Sequence, residues 1–275
     1  MLDTNEKQRL KDTARQIRQD ILTMIGEANS GHPGGSLSAA DLLTGLYFNA
    51  MNIDPDDLKS PDRDRFVLSK GHAAPVLYAT LARRGFFPLE WLPSLRQLGS
   101  KLQGHPDRLK VPGVEASTGS LGQGLAWGVG MALAGKMDGR DYFTFVLLGD
   151  GELQEGMVWE SAMAAAQYRL DHLVAIIDYN RLQIDGPIEQ VMSPEPIADK
   201  FEAFGWQVLS IDGHDLDQIV EALQSARIHR GGPTAIVAHT VKGKGCSFME
   251  DRAEWHGNAP NQTQVQQALQ ELQAN

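Results

Sequence analysis

Apolar residues recur in this chain with two periods. Over Glu6–Ala28, Leu10, Ala14, Ile17, Ile21, Met24 and Ile25 fall on one helical face, which predicts a long amphipathic helix. The pattern breaks at Asn29-Ser-Gly-His-Pro-Gly-Gly35 and resumes as helix over Ser38–Met51. Short continuous apolar runs predict buried strands at Arg65–Ser69, Phe143–Leu148, Leu173–Asp178, Trp206–Ile211 and Thr234–Ala238. Between them lie helical stretches: one after Gly71-His72 as far as Arg84, a weaker one over Trp91–Gly104, then Leu121–Lys136, Met157–Tyr168 and Leu216–His229. Asp215 stands where the last of these needs an N-cap. Asn261–Gln273 reads as a closing helix with Val265, Leu269 and Leu272 on its apolar side. Strand–helix alternation throughout predicts an α/β protein, a parallel sheet with helices on both faces. With no repeat and no low-complexity linker, residues 1–275 are expected to form a single domain.

The ends of two strands carry the first candidate chemistry. Gly149-Asp150-Gly151 follows Phe143–Leu148, and Asn180 comes thirty residues after Asp150, just beyond Leu173–Asp178. Strand, crossover helix and strand make a βαβ unit, so both residues emerge at the carboxyl edge of one sheet, where open α/β sheets bind ligands. A carboxylate and a carboxamide are hard oxygen donors, suited to Mg²⁺ and compatible with Ca²⁺ or Mn²⁺. Mg²⁺ commonly completes its shell with substrate phosphates, and the two glycines permit close approach of such a group. Taken alone, Gly-Asp-Gly reads equally as an ordinary strand-to-helix turn; the Asn one βαβ unit later favours a metal–diphosphate site. Thr118-Gly-Ser-Leu-Gly-Gln-Gly124, a glycine-rich turn opening a helix, is a second place for phosphate. That helix is crowded with Gly and Ala, so another backbone or a ligand must come close to it.

Charge and composition narrow the partners. The 275 residues carry a net charge of −10, which argues against nucleic acid or an anionic membrane as the main partner. Cys246 is the one cysteine, so no internal disulfide is possible, which fits a cytoplasmic protein. The polar start Met1-Leu-Asp-Thr-Asn-Glu-Lys7 lacks a signal core, and no stretch suits a membrane span.

Four of the eight histidines sit beside glycine in turns: His32, His72, His105 and His256. Such turns aim a side chain rather than bury it, and imidazole can donate, accept and titrate near neutrality. His172 and His229 read as surface residues, His214 as part of the turn Asp212–Asp215, and His239 as a strand-end residue. Lys242-Gly-Lys-Gly245 reads either as a solvated basic turn or as a cofactor contact. Glu155 reads in the first instance as a first-turn helix acid.

GDGELQEG followed by IDYNRLQIDG resembles the thiamin diphosphate fingerprint, and that of transketolases in particular. The resemblance spans His32 to His256 and covers the diphosphate-binding domain alone. It implies a thiamin diphosphate-binding fold and a divalent metal held by Asp150, Asn180 and the Leu182 carbonyl. Gly119, Ser120, Leu121, Gly151, His72, Lys242 and His256 would contact the cofactor, although many transketolases carry Pro at the Ser120 position. His72 and His105 would meet the C1 hydroxyl and carbonyl oxygen of a ketose donor. His32 and His256 would serve proton transfer at the hydroxyl released when the C–C bond breaks, and Glu155 would lie near a subunit interface. The nineteen residues after His256 are too few for the pyrimidine-binding domain. The expectation is therefore one half of a split transketolase, working with a separate C-terminal subunit, in an α₂β₂ assembly, on sugars or sugar phosphates. A deoxyxylulose-phosphate synthase-like or keto-acid dehydrogenase-like chain, or a non-catalytic cofactor-binding module, are the competing readings.

Overall fold

The computed structural model describes residues 2–274. Helix α1 (Thr4–Ala28) is capped by Asp3, whose carboxylate accepts from Glu6 N at 2.8 Å, and ends where Asn29 turns left-handed. Two short helices follow, α2 (Pro33–Ser38) and α3 (Ala40–Gly45), the latter running on as a π-turn to Ala50. The chain then alternates: β1 (Arg65–Leu68), α4 (Ala74–Arg84), α5 (Gln123–Met137), β2 (Thr144–Gly149), α6 (Gly156–Gln167) and β3 (Leu173–Tyr179). A small hairpin, β4 (Leu182–Gln183) and β5 (Gly186–Pro187), precedes α7 (Ile188–Val191) and α8 (Ile197–Ala203). The chain continues through β6 (Gln207–Asp212), α9 (Leu216–Ile228), β7 (Thr234–His239) and α10 (Gln262–Ala274). Asp215 caps α9 as its sequence position implies, accepting from Asp217 N at 2.9 Å.

The main sheet has the order β1-β2-β3-β7-β6, and every pairing in it is parallel. Successive residues of β2 feed opposite cores. Phe145 and Leu147 join the cluster built with α1, α3, α4 and α9, while Val146 and Leu148 join the one built with α5, α6 and α8. A strand buried on both faces must be apolar at every position, which is why the strands read as continuous runs.

The structure corrects the sequence pattern in three places. Trp91–Gly104 is not a helix: a 3₁₀ turn spans Leu89–Ser94, and the rest is loop. Pro93 lacks an amide hydrogen, and Arg96 takes a left-handed φ of 59° with its N–H donating to Leu102 O at 2.8 Å. The turn around His32 is partly helical, since α2 starts at Pro33, where a fixed φ favours helix initiation. Nothing in the apolar pattern marks the hairpin or α8. Seven residues that bury only Ile197 and Phe201 give too little periodicity to read.

The glycines of α5 do mark close approach, and the neighbours are protein. A Cβ on Gly124 would lie 2.4 Å from Ser69 Oγ and 2.6 Å from Ser69 Cα, and one on Gly128 would lie 2.4 Å from Val146 Cγ2. These glycines let the helix settle directly onto Ser69 just past β1 and onto the face of β2. By contrast, a Cβ on Gly130 would meet nothing within 4 Å. Gly124→Ala should therefore cost about 1–3 kcal/mol by overpacking. Gly130→Ala should be neutral or stabilise by up to about 1 kcal/mol. Urea unfolding of the two variants measures this difference, and equal effects would refute the packing account.

Candidate active site

The parallel register pairs Gly149 of β2 with Asp178 of β3, so Asp150 and Asn180 leave the sheet side by side. Asp150 is buried and bridges the two strand ends. Its carboxylate accepts from Gly151 N at 2.7 Å and, across the gap, from Arg181 N at 2.5 Å. Asn180 Oδ1 accepts from Leu182 N at 3.2 Å. The Leu182 carbonyl accepts from Lys242 Nζ at 2.8 Å, and the same ammonium meets His256 Nδ1 at 3.0 Å. One corner thus collects Asp150, Asn180, the Leu182 carbonyl, Lys242 and His256 from three separate loops.

A cavity of about 330 Å³ opens over this corner. His32, His72 and His256 converge in it: His72 stacks on His256 with ring centroids 5.0 Å apart, and His32 stands edge-on to both at 5.2 and 5.5 Å. Gly119, Leu121, Gly151 and Glu155 also line it, Glu155 at the exposed head of α6 with no capping hydrogen bond from its side chain. Two sequence candidates stand outside the lining. Ser120 and His105 are exposed, and His105 packs against Gly119, where an added Cβ would lie 3.2 Å from the ring. A larger cleft of about 720 Å³, beside Lys7, Lys11 and Arg18 of α1, shares no residue with this cavity.

Burial dominates the electrostatics. It pushes the Asp150 carboxyl up to about 6, with the nearby Asp178 charge adding to the effect. Burial also brings the Lys242 ammonium down to about 8. His32 is lowered to about 4 by burial and then by Arg96, and His256 to about 3 by burial and then by Lys242. His72 falls well below its ordinary range through burial and the Lys70 charge. The three cavity histidines are therefore neutral at pH 7.

Two tethers at the wall of the cavity are not among the sequence candidates. Glu152 is buried; it accepts from Ser69 Oγ, from Gly122 N at 2.8 Å and from Gly149 N at 3.0 Å. One carboxylate thereby ties together the loops that carry His72, Leu121 and Asp150. Lys70 and Asp178, both buried, form an ion pair; Asp178 also accepts from Ser38 Oγ and Thr240 Oγ1, and Lys70 donates to Gly35 O at 2.7 Å. Burial works to raise the Asp178 carboxyl, but Lys70 and the two hydroxyls outweigh it and hold it low.

Known proteins share both this layout and its sequence. Residues 7–275 match the family described as transketolase, thiamine diphosphate binding domain. The chain belongs to this transketolase family. It is 48% identical to one of the subunits of apulose-4-phosphate transketolase from Phocaeicola vulgatus, over 93% of this chain and 90% of that one. It is 46% identical to a 6-deoxy-6-sulfo-D-fructose transketolase subunit of Clostridium sp. (strain MSTE9), over 96% of each chain. Human transketolase is 43% identical over 98% of this chain but only 43% of its own length. Among solved structures, Campylobacter jejuni transketolase superposes with a TM-score of 0.90 at 36% identity, over 97% of this chain and 43% of that one. The chain thus spans less than half the length of these longer transketolases.

The residues present fit a diphosphate–metal group. Asp150 is a buried carboxylate raised toward neutrality because burial and the Asp178 charge outweigh its two backbone donors and the Lys242 charge. Among the described residues no cluster of three or more His, Cys, Asp or Glu side chains is arranged for a metal. A cation here would instead draw on carboxylate, amide and carbonyl oxygens and on phosphate, a donor set that suits Mg²⁺. Gly149 and Gly151 add no side chains of their own beside Lys70 and Gln183, which lie 3.7 and 3.3 Å from where their respective Cβ atoms would stand, and Lys242 lines the same cavity as a cation.

The neutral histidines carry a pH signature. Their folded pKa values lie below the ordinary 6.5, so the unfolded chain binds protons that the native chain refuses. Their contribution to stability is complete above about pH 6.5 and is lost as pH falls toward 4. Histidine ¹⁵N NMR at pH 5 should show the rings of His32, His72 and His256 still neutral; titration of all three near 6.5 would refute the assignment.

Proposed function

We propose that this chain is the diphosphate-binding subunit of a split transketolase, moving a two-carbon ketol unit from a ketose to an aldose, as free sugars or sugar phosphates. The observation that carries the reading is the meeting of three neutral histidines in one cavity directly over the Asp150–Asn180 corner. A site for binding alone has no need of such a cluster. When bound, thiamine diphosphate supplies a carbon nucleophile able to attack a ketose carbonyl, chemistry that no side chain provides.

In this reading Asp150, Asn180 and the Leu182 carbonyl hold Mg²⁺, with Ca²⁺ or Mn²⁺ as chemically compatible substitutes. The Gly119-Ser120-Leu121 turn, opening toward the N-terminus of α5, receives the diphosphate together with Gly151 and Lys242. His72 and His105 meet the C1 hydroxyl and carbonyl oxygen of the donor. His32 and His256 meet the hydroxyl whose proton moves as the C–C bond breaks. Residues 1–275 act as a single cofactor-binding domain, and the pyrimidine end of the cofactor is left to a separate C-terminal subunit. The relatives named as transketolase subunits, matched over 90–96% of their own length, support that division.

The outer faces of α5 and α6 suit such a partnership. Trp127, Met137 and Met163 are exposed there, and Glu155 at the head of α6 sets this apolar surface beside the cavity. We assign the surface to contacts within an α₂β₂ assembly. We place the complex in the cytoplasm, consistent with a single, buried cysteine and with no described helix long and apolar enough to cross a membrane.

Two experiments test the proposal. The purified chain with thiamine diphosphate and Mg²⁺ should show no ketol transfer. Activity should appear on adding the subunit that carries the pyrimidine-binding domain, and a screen of sugar phosphates then identifies the substrates. Robust turnover by this chain alone would sink the split-enzyme reading. In the assembled complex, Asp150→Ala should weaken Mg²⁺-dependent cofactor binding by at least roughly tenfold in calorimetry. Unchanged affinity would show that the metal sits elsewhere.

A further inference from the structure

Arg96, like Lys242, is a cation beside the cavity with no carboxylate partner, but unlike Lys242 it cannot give up its proton. Among the described residues no acid lies within ion-pairing distance of it, although its neighbour in sequence, the apolar Leu95, is fully buried. Its backbone holds a left-handed φ of 59°, unusual for a residue with a side chain. Its guanidinium is packed against Gly104, where an added Cβ would lie 2.9 Å from Cζ. Nη1 donates to Ser30 Oγ at 2.9 Å, Nη2 reaches His32 Nδ1 at 3.4 Å, and Nε is buried without a partner. The side chain therefore grips the Ser30–His32 turn at two points, and the strained loop that carries it is shaped to present it there.

The chemistry of that contact is one-directional. A guanidinium has five donors and no acceptor, and it stays protonated in proteins. Whatever faces it must accept, so His32 Nδ1 carries a lone pair and the ring proton of the neutral imidazole lies on Nε2. No hydrogen bond among the described residues engages Nε2, and His32 lines the cavity. We propose that Arg96 is a positioning residue that locks His32 as its Nε2–H tautomer, so that His32 presents a hydrogen-bond donor, not a base, to an oxygen of the substrate. While Nδ1 is held, Nε2 has no lone pair with which to accept a proton. His32 then stabilises negative charge developing on that oxygen, and the proton itself is taken by another group. The assignment to a substrate oxygen rests on the ketol-transfer reading; the tautomer does not.

That difference decides the experiment. The full chain, labelled with ¹⁵N-histidine, is examined at pH 7 by long-range ¹H–¹⁵N correlation, with the His32 signals identified by their loss in His32→Gln. Wild-type His32 should show the pattern of a single Nε2–H tautomer, with no partner, cofactor or substrate needed. Arg96→Lys, which keeps a donor-only cation, should retain the pattern. Arg96→Met, which keeps the stem and removes the donors, should lose it to a mixture of both tautomers. A wild-type ring protonated on Nδ1, or on both nitrogens, would overturn the proposal even if neither variant folds. So would an Arg96→Met protein with wild-type Tm and an unchanged His32 pattern. Failure of the ketol-transfer reading would instead appear as missing turnover in the reconstituted complex, with the tautomer intact.

Discussion

Among the buried charges at the carboxyl edge of the sheet, Asp150, Asp178, Lys70 and Lys242 are unevenly matched, and the site depends on that mismatch. Asp178 is fully satisfied by Lys70, Ser38 and Thr240. Asp150 has only backbone donors, and Lys242 has only a carbonyl and an imidazole. The consequences are opposite. Asp178 is held low, whereas Asp150 is pushed up and Lys242 down, each toward its neutral form. Isolated buried charge is costly, so the closed pair serves as a foundation and the open pair as a receptor for charge from outside. A cation beside Asp150 and an anion beside Lys242 would restore both, which is the charge arrangement of a metal diphosphate.

The geometry that permits this is set by parallel register. Level pairing of β2 with β3 and of β3 with β7 brings the loops after Gly149, Tyr179 and His239 to one edge. Glu152 then fixes the loops after β1 and before α5 against the first of these. The glycines of α5 belong to the same construction. Only without side chains can the helix settle onto Ser69 and Val146 closely enough for Gly122 N to reach Glu152.

Much of this is legible in the sequence, and the boundary has a physical cause. The five strands, their parallel direction and the Asp150–Asn180 juxtaposition follow from local apolar runs and from spacing, whereas the strand order does not. Glycine-flanked turns likewise mark His32, His72 and His256, since such turns aim side chains. What cannot be read are residues whose meaning depends on distant partners. Glu152 looks like any first-turn acid, yet its partners include Ser69, 83 positions away. Lys70 looks like a surface lysine beside Gly71, yet Asp178, 108 positions on, draws it into the core. Arg96 falls inside an apparent helix, which Pro93 and Gly99 interrupt.

The same distinction separates two kinds of work around the cavity. Residues in glycine turns face the ligand and are recognisable by type. A residue such as Arg96, which fixes the orientation of one of them from a distant loop, is recognisable only once the fold brings the two together. Placing cations beside the histidines has a definite chemical effect: it disfavours imidazolium and favours acceptor character on the ring nitrogen the cation faces. Arg96 and Lys242 both stand at Nδ1, of His32 and His256 respectively. Arginine cannot give up its proton, whereas lysine can. One histidine is therefore held in a fixed hydrogen-bonding role by its neighbour, while the other has a neighbour that can itself exchange a proton.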